Sequence, residues 1–290
     1  MGIERVGVVG AGLMGAGIAE VCARAGVDVV VSEVNEGAAK AGQHRIETSL
    51  ARAVKAGKMD ADARDATLGR IRIVTDLFEL ADRQLVIEAI REVEEEKHEV
   101  FVTLGKILVD EEAILASNTS SIPIMKLAVA SRRPEQVIGL HFFNPAPVMR
   151  LVELIPSLVT SPEVADRAED FISGALGKRV IRSQDRAGFI VNALFVPYVL
   201  AAIRMLESGF ASAEDIDAGM VEGCSHPMGP LALADLIGLD TIKHVADSMY
   251  SEFHEPLYSS PPLLERMVEA SLLGRKTGRG FFSYEPVVGP

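Results

Sequence analysis

An α/β fold, a mostly parallel sheet with helices on both faces followed by an all-α segment, is predicted by three observations. Short apolar runs alternate with helical patterns from Val6 to Ile181; a glycine cluster, Gly10-Ala11-Gly12-Leu13-Met14-Gly15, follows the first run directly; and beyond Gly188 only helical patterns remain. At 290 residues the chain exceeds what one core usually fills. Two domains are therefore expected, residues 1–184 and 185–290, meeting in the polar, glycine-containing stretch Ser183 to Gly188.

The first unit explains itself residue by residue. Val6 to Val9 is a continuous apolar run, as in a strand buried on both faces. Ala16 to Ala25 keeps apolar positions at helical spacing until Gly26, and Asp28 to Glu33 reads as a second strand. In that context Gly10 permits a tight turn, Gly12 lets backbone approach a pyrophosphate, and Gly15 lets the helix pack on the strand. Leu13 and Met14 complete the phosphate-facing turn. Helix N-terminal N–H groups face the phosphates. Glu33 is placed to accept from the adenosine ribose hydroxyls and to repel a 2′-phosphate, so the pattern predicts a Rossmann-like domain that binds NAD rather than NADP. The alternative, glycines serving only a tight turn, stays open at this point.

Asn35 to Arg70 reads as two helices broken near Gly57-Lys58-Met59-Asp60, with Asp60 capping the second. Arg45, Ser49 and Arg52 recur at helical spacing on one face, with Lys55 and Lys58 near its end, a stripe that is either solvated surface or an anion contact. Ile71 to Val74, Leu85 to Ile90 and Ile114 to Ala116 read as further strands; Glu92 and Lys97 follow the second of these, where loops point toward the cofactor crevice. Val137 to Phe143 and Leu151 to Ile155 are short strands joined through Asn144-Pro145-Ala146-Pro147, whose prolines argue against a simple ladder. Ser161-Pro162-Glu163 starts a helix ending near Gly177, and Arg179 to Ile181 is a last strand. Helices are then expected at Phe189 to Leu206, Ala213 to Glu222, Pro230 to Ile237 and Thr241 to Phe253, before a basic, glycine-rich tail.

Composition narrows the function. A formal net charge of −12 argues against a sequence-independent nucleic-acid binder. Cys22 and Cys224 lie far apart without His or Cys at ligand spacing, so neither a metal site nor a disulfide is expected; two half-buried thiols in a reducing compartment are. The sequence enters a strand at once without a tripartite leader, and no apolar run approaches the ~18 residues of a membrane span. A cytoplasmic location is the expectation.

The chemistry concentrates between Ser117 and Glu153, where Ser-Asn-Thr-Ser-Ser, then His141-Phe142-Phe143-Asn144-Pro145, then Glu153 sit at ends of strand-like runs. His141 taken alone is as readily a core residue. A carboxylate accepting from one imidazole nitrogen would fix the tautomer and make the other nitrogen a base near neutral pH.

Six motifs in order give the whole chain a resemblance to the short-chain L-3-hydroxyacyl-CoA dehydrogenases, the bacterial 3-hydroxybutyryl-CoA enzymes in particular. They are Gly-Ala-Gly-Leu-Met-Gly at Gly10, Ala-Ser-Asn-Thr-Ser-Ser at Ala116, Leu-His-Phe-Phe-Asn-Pro at Leu140, Gly-Phe-Ile-Val-Asn at Gly188, His-Pro-Met-Gly-Pro at His226 and Lys-Thr-Gly-Arg-Gly-Phe at Lys276. The resemblance implies His141 as catalytic base, Glu153 as its partner, and Ser120 and Asn192 as groups that orient the acyl substrate. It implies NAD contacts at Glu92, Lys97, Asn118 and Lys276, and a coenzyme A contact at Ser49. Two positions depart from the family pattern: Glu33 replaces the more usual Asp, and Ala56 stands where animal relatives carry a CoA-contacting lysine, so Arg52, Lys55 or Lys58 would have to hold the phosphates.

The expected activity is reversible NAD-dependent oxidation of a 3-hydroxyacyl-CoA to the 3-ketone. Two alternatives stand beside it: a dehydrogenase for a free hydroxy acid on the same fold, and a non-enzymatic NAD-binding protein. The apolar helices after Gly188 suggest a homodimer.

Overall fold

The computed structural model describes residues 2–285. The described chain divides into two compact units at the Asp185/Arg186 junction. In the first, the strands are β1 (Arg5–Val9), β2 (Asp28–Ser32), β3 (Ile71–Val74), β4 (Leu85–Glu88), β5 (Ile114–Ser117), β6 (Val137–Phe142), β7 (Leu151–Pro156) and β8 (Arg179–Arg182). They form one sheet in the order β3-β2-β1-β4-β5-β6-β7-β8, parallel throughout except where β7 runs antiparallel to β6. Every residue of β4 and β5 is buried, as a strand covered on both faces requires.

Side-chain alternation shows both covers. Val6, Val8, Val29, Val31, Leu85, Ile87, Ile114, Ala116, Ile138, Leu140 and Phe142 share one core with α1 (Leu13–Arg24), α2 (Glu36–Lys55) and α6 (Pro162–Asp170). Their neighbours Val30, Val86 and Leu115 are equally buried but point the other way. That second face also holds buried Phe101 and Leu104 from α4 (Glu94–Ile107) and Ile124 and Leu127 from α5 (Ile124–Ala130). Each such side chain contributes about 1.5–3 kcal/mol by leaving water.

Local signals set the element ends. Asn35 accepts from Ala38 N–H at the start of α2, and Asp60 accepts from Ala63 N–H at 2.7 Å at the start of α3 (Ala61–Leu68). Ser161 caps α6. Three sequence expectations need adjustment. The prolines at 145 and 147 do not prevent β6 and β7 from pairing: they lie wholly in the connection, and a regular antiparallel ladder runs from Ile138↔Pro156 to Phe142↔Val152. The helix expected to run to Gly177 stops at Asp170 and continues as a wider π turn over Phe171–Ala175. And α5 follows the Ser117–Ser121 loop directly, a helix the short apolar stretch did not reveal.

The second unit is helical: α7 (Val191–Glu207), α8 (Ala213–Cys224), α9 (Pro230–Ile237), α10 (Leu239–Phe253) and α11 (Pro262–Glu269). The first begins two residues later than its apolar run, because Gly188 and Phe189 both take positive φ. Val199, Leu200, Leu231, Ala234, Ala246, Met249 and Leu264 form its core. Proline at the first position opens α9 and α11, the latter masked in sequence by the surrounding prolines. Among the described residues no helix is long and apolar enough to cross a membrane.

Candidate active site

The order of strands reverses beside β1: β2 and β3 lie on one side, β4 on the other. In such sheets the crevice outside the carboxyl ends at the reversal takes the ligand. Gly10 ends β1 with φ +94°, and a Cβ there would lie 2.9 Å from the Ala89 carbonyl oxygen. At Gly15 a Cβ would lie 1.9 Å from the Gly10 oxygen, so the first turn of α1 can pack on β1 only without a side chain. Gly12 is open, with nothing within 4 Å of a hypothetical Cβ, which leaves room for a phosphate against backbone. Leu13 is exposed and Met14 half-buried.

Glu33, one residue past β2, turns its carboxylate onto this turn, accepting from Ala11 N–H and, at 3.0 Å, from Val34 N–H. Arg45 on α2 donates to the Ala11 carbonyl at 3.1 Å from the other side. The turn is thus held from both flanks in a shape that fits a dinucleotide, with the Glu33 carboxylate at the ribose end, where its charge disfavours a 2′-phosphate.

His141 on β6 and Glu153 on β7 are directly opposed in the ladder. Their side chains meet at 2.7 Å between Nδ1 and Oε2, with Glu153 0% exposed. A carboxylate facing Nδ1 assigns the ring proton to that nitrogen and gives Nε2 the basic lone pair. Phe143 packs against the imidazole, ring centroids 4.6 Å apart. Because Leu140 and Phe142 face the α1 side of the sheet, His141 and Glu153 face the α4/α5 side.

Glu88 and Ser117, the last residues of β4 and β5, face that same side by the same alternation. They begin a buried polar network. Lys97 of α4, 1% exposed, places its ammonium 2.6 Å from Glu88 Oε1 and 3.2 Å from Glu92 Oε2. Glu88 also accepts from Ser117 Oγ at 2.6 Å and from Ile90 N–H at 2.7 Å. Glu92 accepts from the Thr119 hydroxyl, from Ser120 N–H at 3.0 Å and from Ser121 Oγ at 2.9 Å. Burial pushes the Glu92 carboxyl up, but Lys97 and these loop donors outweigh it and hold the group below the usual carboxylate range. The loop carrying Ser120 is fixed further by Asp185, which accepts from Ile124 and Met125 N–H at 2.7 and 2.8 Å at the start of α5. Asn118 is half-buried and accepts from Phe142 N–H at 2.9 Å, tying the loop to β6 beside His141.

His141, Glu153, Ser120, Asn118 and Glu92 therefore gather within the first unit at the carboxyl ends of β4 to β6, where antiparallel β7 presents its amino end. Lys97 is also there, but beneath the surface, with its charge given to two carboxylates. Ser49 is half-buried on α2, while Arg52, Lys55 and Lys58 are exposed at and just past its end. In the second unit Asn192 lies in the first turn of α7, and Lys276 is exposed and ion-paired with Asp240 at 2.5 Å. Sequence reasoning passed over Glu88 and Asp185, and it named Arg45 only as part of the α2 stripe, not as a donor to the glycine turn. A single carboxylate inside the apolar run Leu85 to Ile90 was the available signal, since a buried charge requires a partner. Cys22 is fully buried and Cys224 exposed, in place of two half-buried thiols.

Comparison with known proteins identifies the family. The family described as 3-hydroxyacyl-CoA dehydrogenase, NAD binding domain, matches residues 5–186, and 3-hydroxyacyl-CoA dehydrogenase, C-terminal domain, matches residues 188–284. A 3-hydroxybutyryl-CoA dehydrogenase of Mycobacterium tuberculosis is 60% identical over 282 residues, 97% of this chain and 99% of the relative. Human mitochondrial hydroxyacyl-coenzyme A dehydrogenase is 42% identical, covering 98% of this chain and 92% of that protein. Among solved structures, (S)-3-hydroxybutyryl-CoA dehydrogenase of Ralstonia eutropha superimposes with a TM-score of 0.92 at 43% identity, covering 98% and 99% of the two chains. With the two domain models matching residues 5–186 and 188–284 and a relative 60% identical over 97% of the chain, the chain belongs to the 3-hydroxyacyl-CoA dehydrogenase family of NAD-dependent oxidoreductases.

Proposed function

We propose that this enzyme interconverts (S)-3-hydroxybutyryl-CoA and acetoacetyl-CoA, with His141 as the general base and acid. The observation that carries the reading is the buried 2.7 Å pair of His141 Nδ1 and Glu153 Oε2 at the crevice end of the sheet. NAD, when bound, supplies the hydride acceptor at the substrate C3. His141 Nε2 takes the 3-hydroxyl proton as the C–H bond breaks, and in reverse the imidazolium returns it to the carbonyl oxygen. Glu153 stabilises that imidazolium and keeps the ring oriented. Ser120, with its backbone locked by Glu92, and Asn192 orient the substrate oxygen. Gly10, Gly12, Leu13, Met14 and Gly15 seat the pyrophosphate, Glu33 the ribose, and Glu92, Asn118 and Lys276 complete the cofactor contacts. Lys97 acts through Glu92.

The coenzyme A phosphates fall to Arg52 or Lys55, exposed at the end of α2 beyond Ser49, or to Lys58, exposed just past it after Ala56 and Gly57. Residues 1–184 serve as the NAD-binding domain and residues 185–290 as the substrate-binding and dimerisation domain of a cytoplasmic homodimer. Exposed apolar side chains on the helical unit, Leu194 at 74% and Phe210 at 79% among them, support the dimer. The test is paired turnover of 3-hydroxybutyryl-CoA and free 3-hydroxybutyrate with NAD⁺. Thioester turnover exceeding that of the free acid by at least ~10²-fold is expected; equal or greater use of the free acid refutes the acyl-CoA reading.

A further inference from the structure

Two buried charges, Glu88 and Lys97, meet the partly exposed carboxylate of Glu92 at the ends of β4 and α4, and the three do not cancel. Glu88 is 0% exposed and Lys97 1%, and a single ammonium serves both Glu88 at 2.6 Å and Glu92 at 3.2 Å. Both carboxylates are bound only by donors: Lys97, Ser117 Oγ and Ile90 N–H for Glu88; Lys97, Thr119, Ser121 and Ser120 N–H for Glu92. Donor-only surroundings suit ionised carboxylates. The cluster thus carries a net charge of −1, with Glu88 and Lys97 buried and Glu92 half-buried at its edge.

Its position gives that charge a use. Glu88 is paired in register with Val9, the residue preceding the Gly10 turn, and with Ser117 on the other side. A dinucleotide whose ribose is held at Glu33 beyond β2 and whose phosphates lie at the β1 turn must extend its other half across the ends of β4 and β5, toward His141 on β6. The redox-active ring of such a cofactor is cationic when oxidised and neutral when reduced. We propose that Glu88, Lys97 and Glu92 form an electrostatic triad whose residual negative charge favours the oxidised, positively charged ring over the reduced one. Glu88, to which nothing else assigns a role, is then a positioning and charge-setting residue that acts through Lys97 rather than by touching the cofactor. The proposal rests on the NAD-binding reading above.

Isothermal titration of the full chain with NAD⁺ and with NADH separates this from a structural role. Glu88→Gln keeps the shape but leaves the triad neutral. The ratio Kd(NAD⁺)/Kd(NADH) should rise on the order of tenfold, as one unit charge at low effective dielectric implies. In Glu88→Gln/Lys97→Met the charge returns to −1 through Glu92, and the ratio should fall back to within about twofold of wild type. If Glu88→Gln does not fold, Glu92→Gln, which also neutralises the triad, must show the same rise. Equal loss of affinity for both forms, an unchanged ratio, or a double variant that keeps the single variant's ratio overturns the proposal. A wild-type chain that binds neither form would instead remove the cofactor reading beneath it.

Discussion

A histidine held by a buried carboxylate differs from a surface histidine in that its tautomer and ring orientation are assigned. In β6 and β7 this follows from one register pair, since His141 and Glu153 are directly opposite and share a face of the sheet. Glu153→Gln should lower kcat by ~10²-fold or more while moving KM for acyl-CoA little, because the lost interaction is made most strongly with the imidazolium; steady-state kinetics with acetoacetyl-CoA and NADH check it. The two thiols should behave oppositely. Burial pushes Cys22 up to about 12, with Lys178 nearby only partly opposing it, so iodoacetamide at pH 8 should label exposed Cys224 in the native enzyme and Cys22 only after unfolding, as peptide mapping would show. Residues with chemistry at strand ends, such as His141, Glu153 and Glu33, were legible in the sequence. Glu88 was not, because its importance depends on the ammonium nine residues away being folded back against it.

At the scale of elements, the Ser117–Ser121 loop is set by charges that lie behind it. Glu92 is held below the usual carboxylate range in the folded protein, so the unfolded chain binds the extra proton as pH drops. Its contribution to stability is therefore complete above the unfolded value of 4.5 and is lost as pH falls through the lowered folded value. Denaturant midpoints should decline below that pH in wild type and less steeply in Glu92→Gln. Lys97→Met alone leaves buried Glu88 and half-buried Glu92 without their cation and should cost about 3–5 kcal/mol in urea unfolding. The proposed role of Glu33 as ribose acceptor predicts that Glu33→Asn narrows the preference for NADH over NADPH, read as the ratio of kcat/KM values. Strand positions could be read from apolar runs because a doubly covered sheet tolerates little else. The β6–β7 ladder was harder to foresee, since prolines in its connection resemble prolines within it, and α5 was missed because its seven residues follow a polar loop without a capping side chain of their own, the cap coming from distant Asp185.

For the whole molecule, the first unit gathers His141, Glu153, the Ser117–Ser121 loop and the glycine turn along one sheet, and the second unit is helical. The order of elements was predictable from the switch between strand-like and helical periodicity at Ser183 to Gly188; the partners of Lys276 and the capping role of Asp185 depend on tertiary packing that periodicity does not encode. Sedimentation at micromolar concentration should find a dimer, and a stable monomer would remove the dimerisation role from the helical unit. The most direct test of the chemistry is acetoacetyl-CoA reduction by His141→Gln with NADH binding measured alongside. Turnover should fall by ~10²–10⁴-fold with NADH affinity retained; turnover within a few-fold of wild type would contradict His141 as the acid and base of this enzyme.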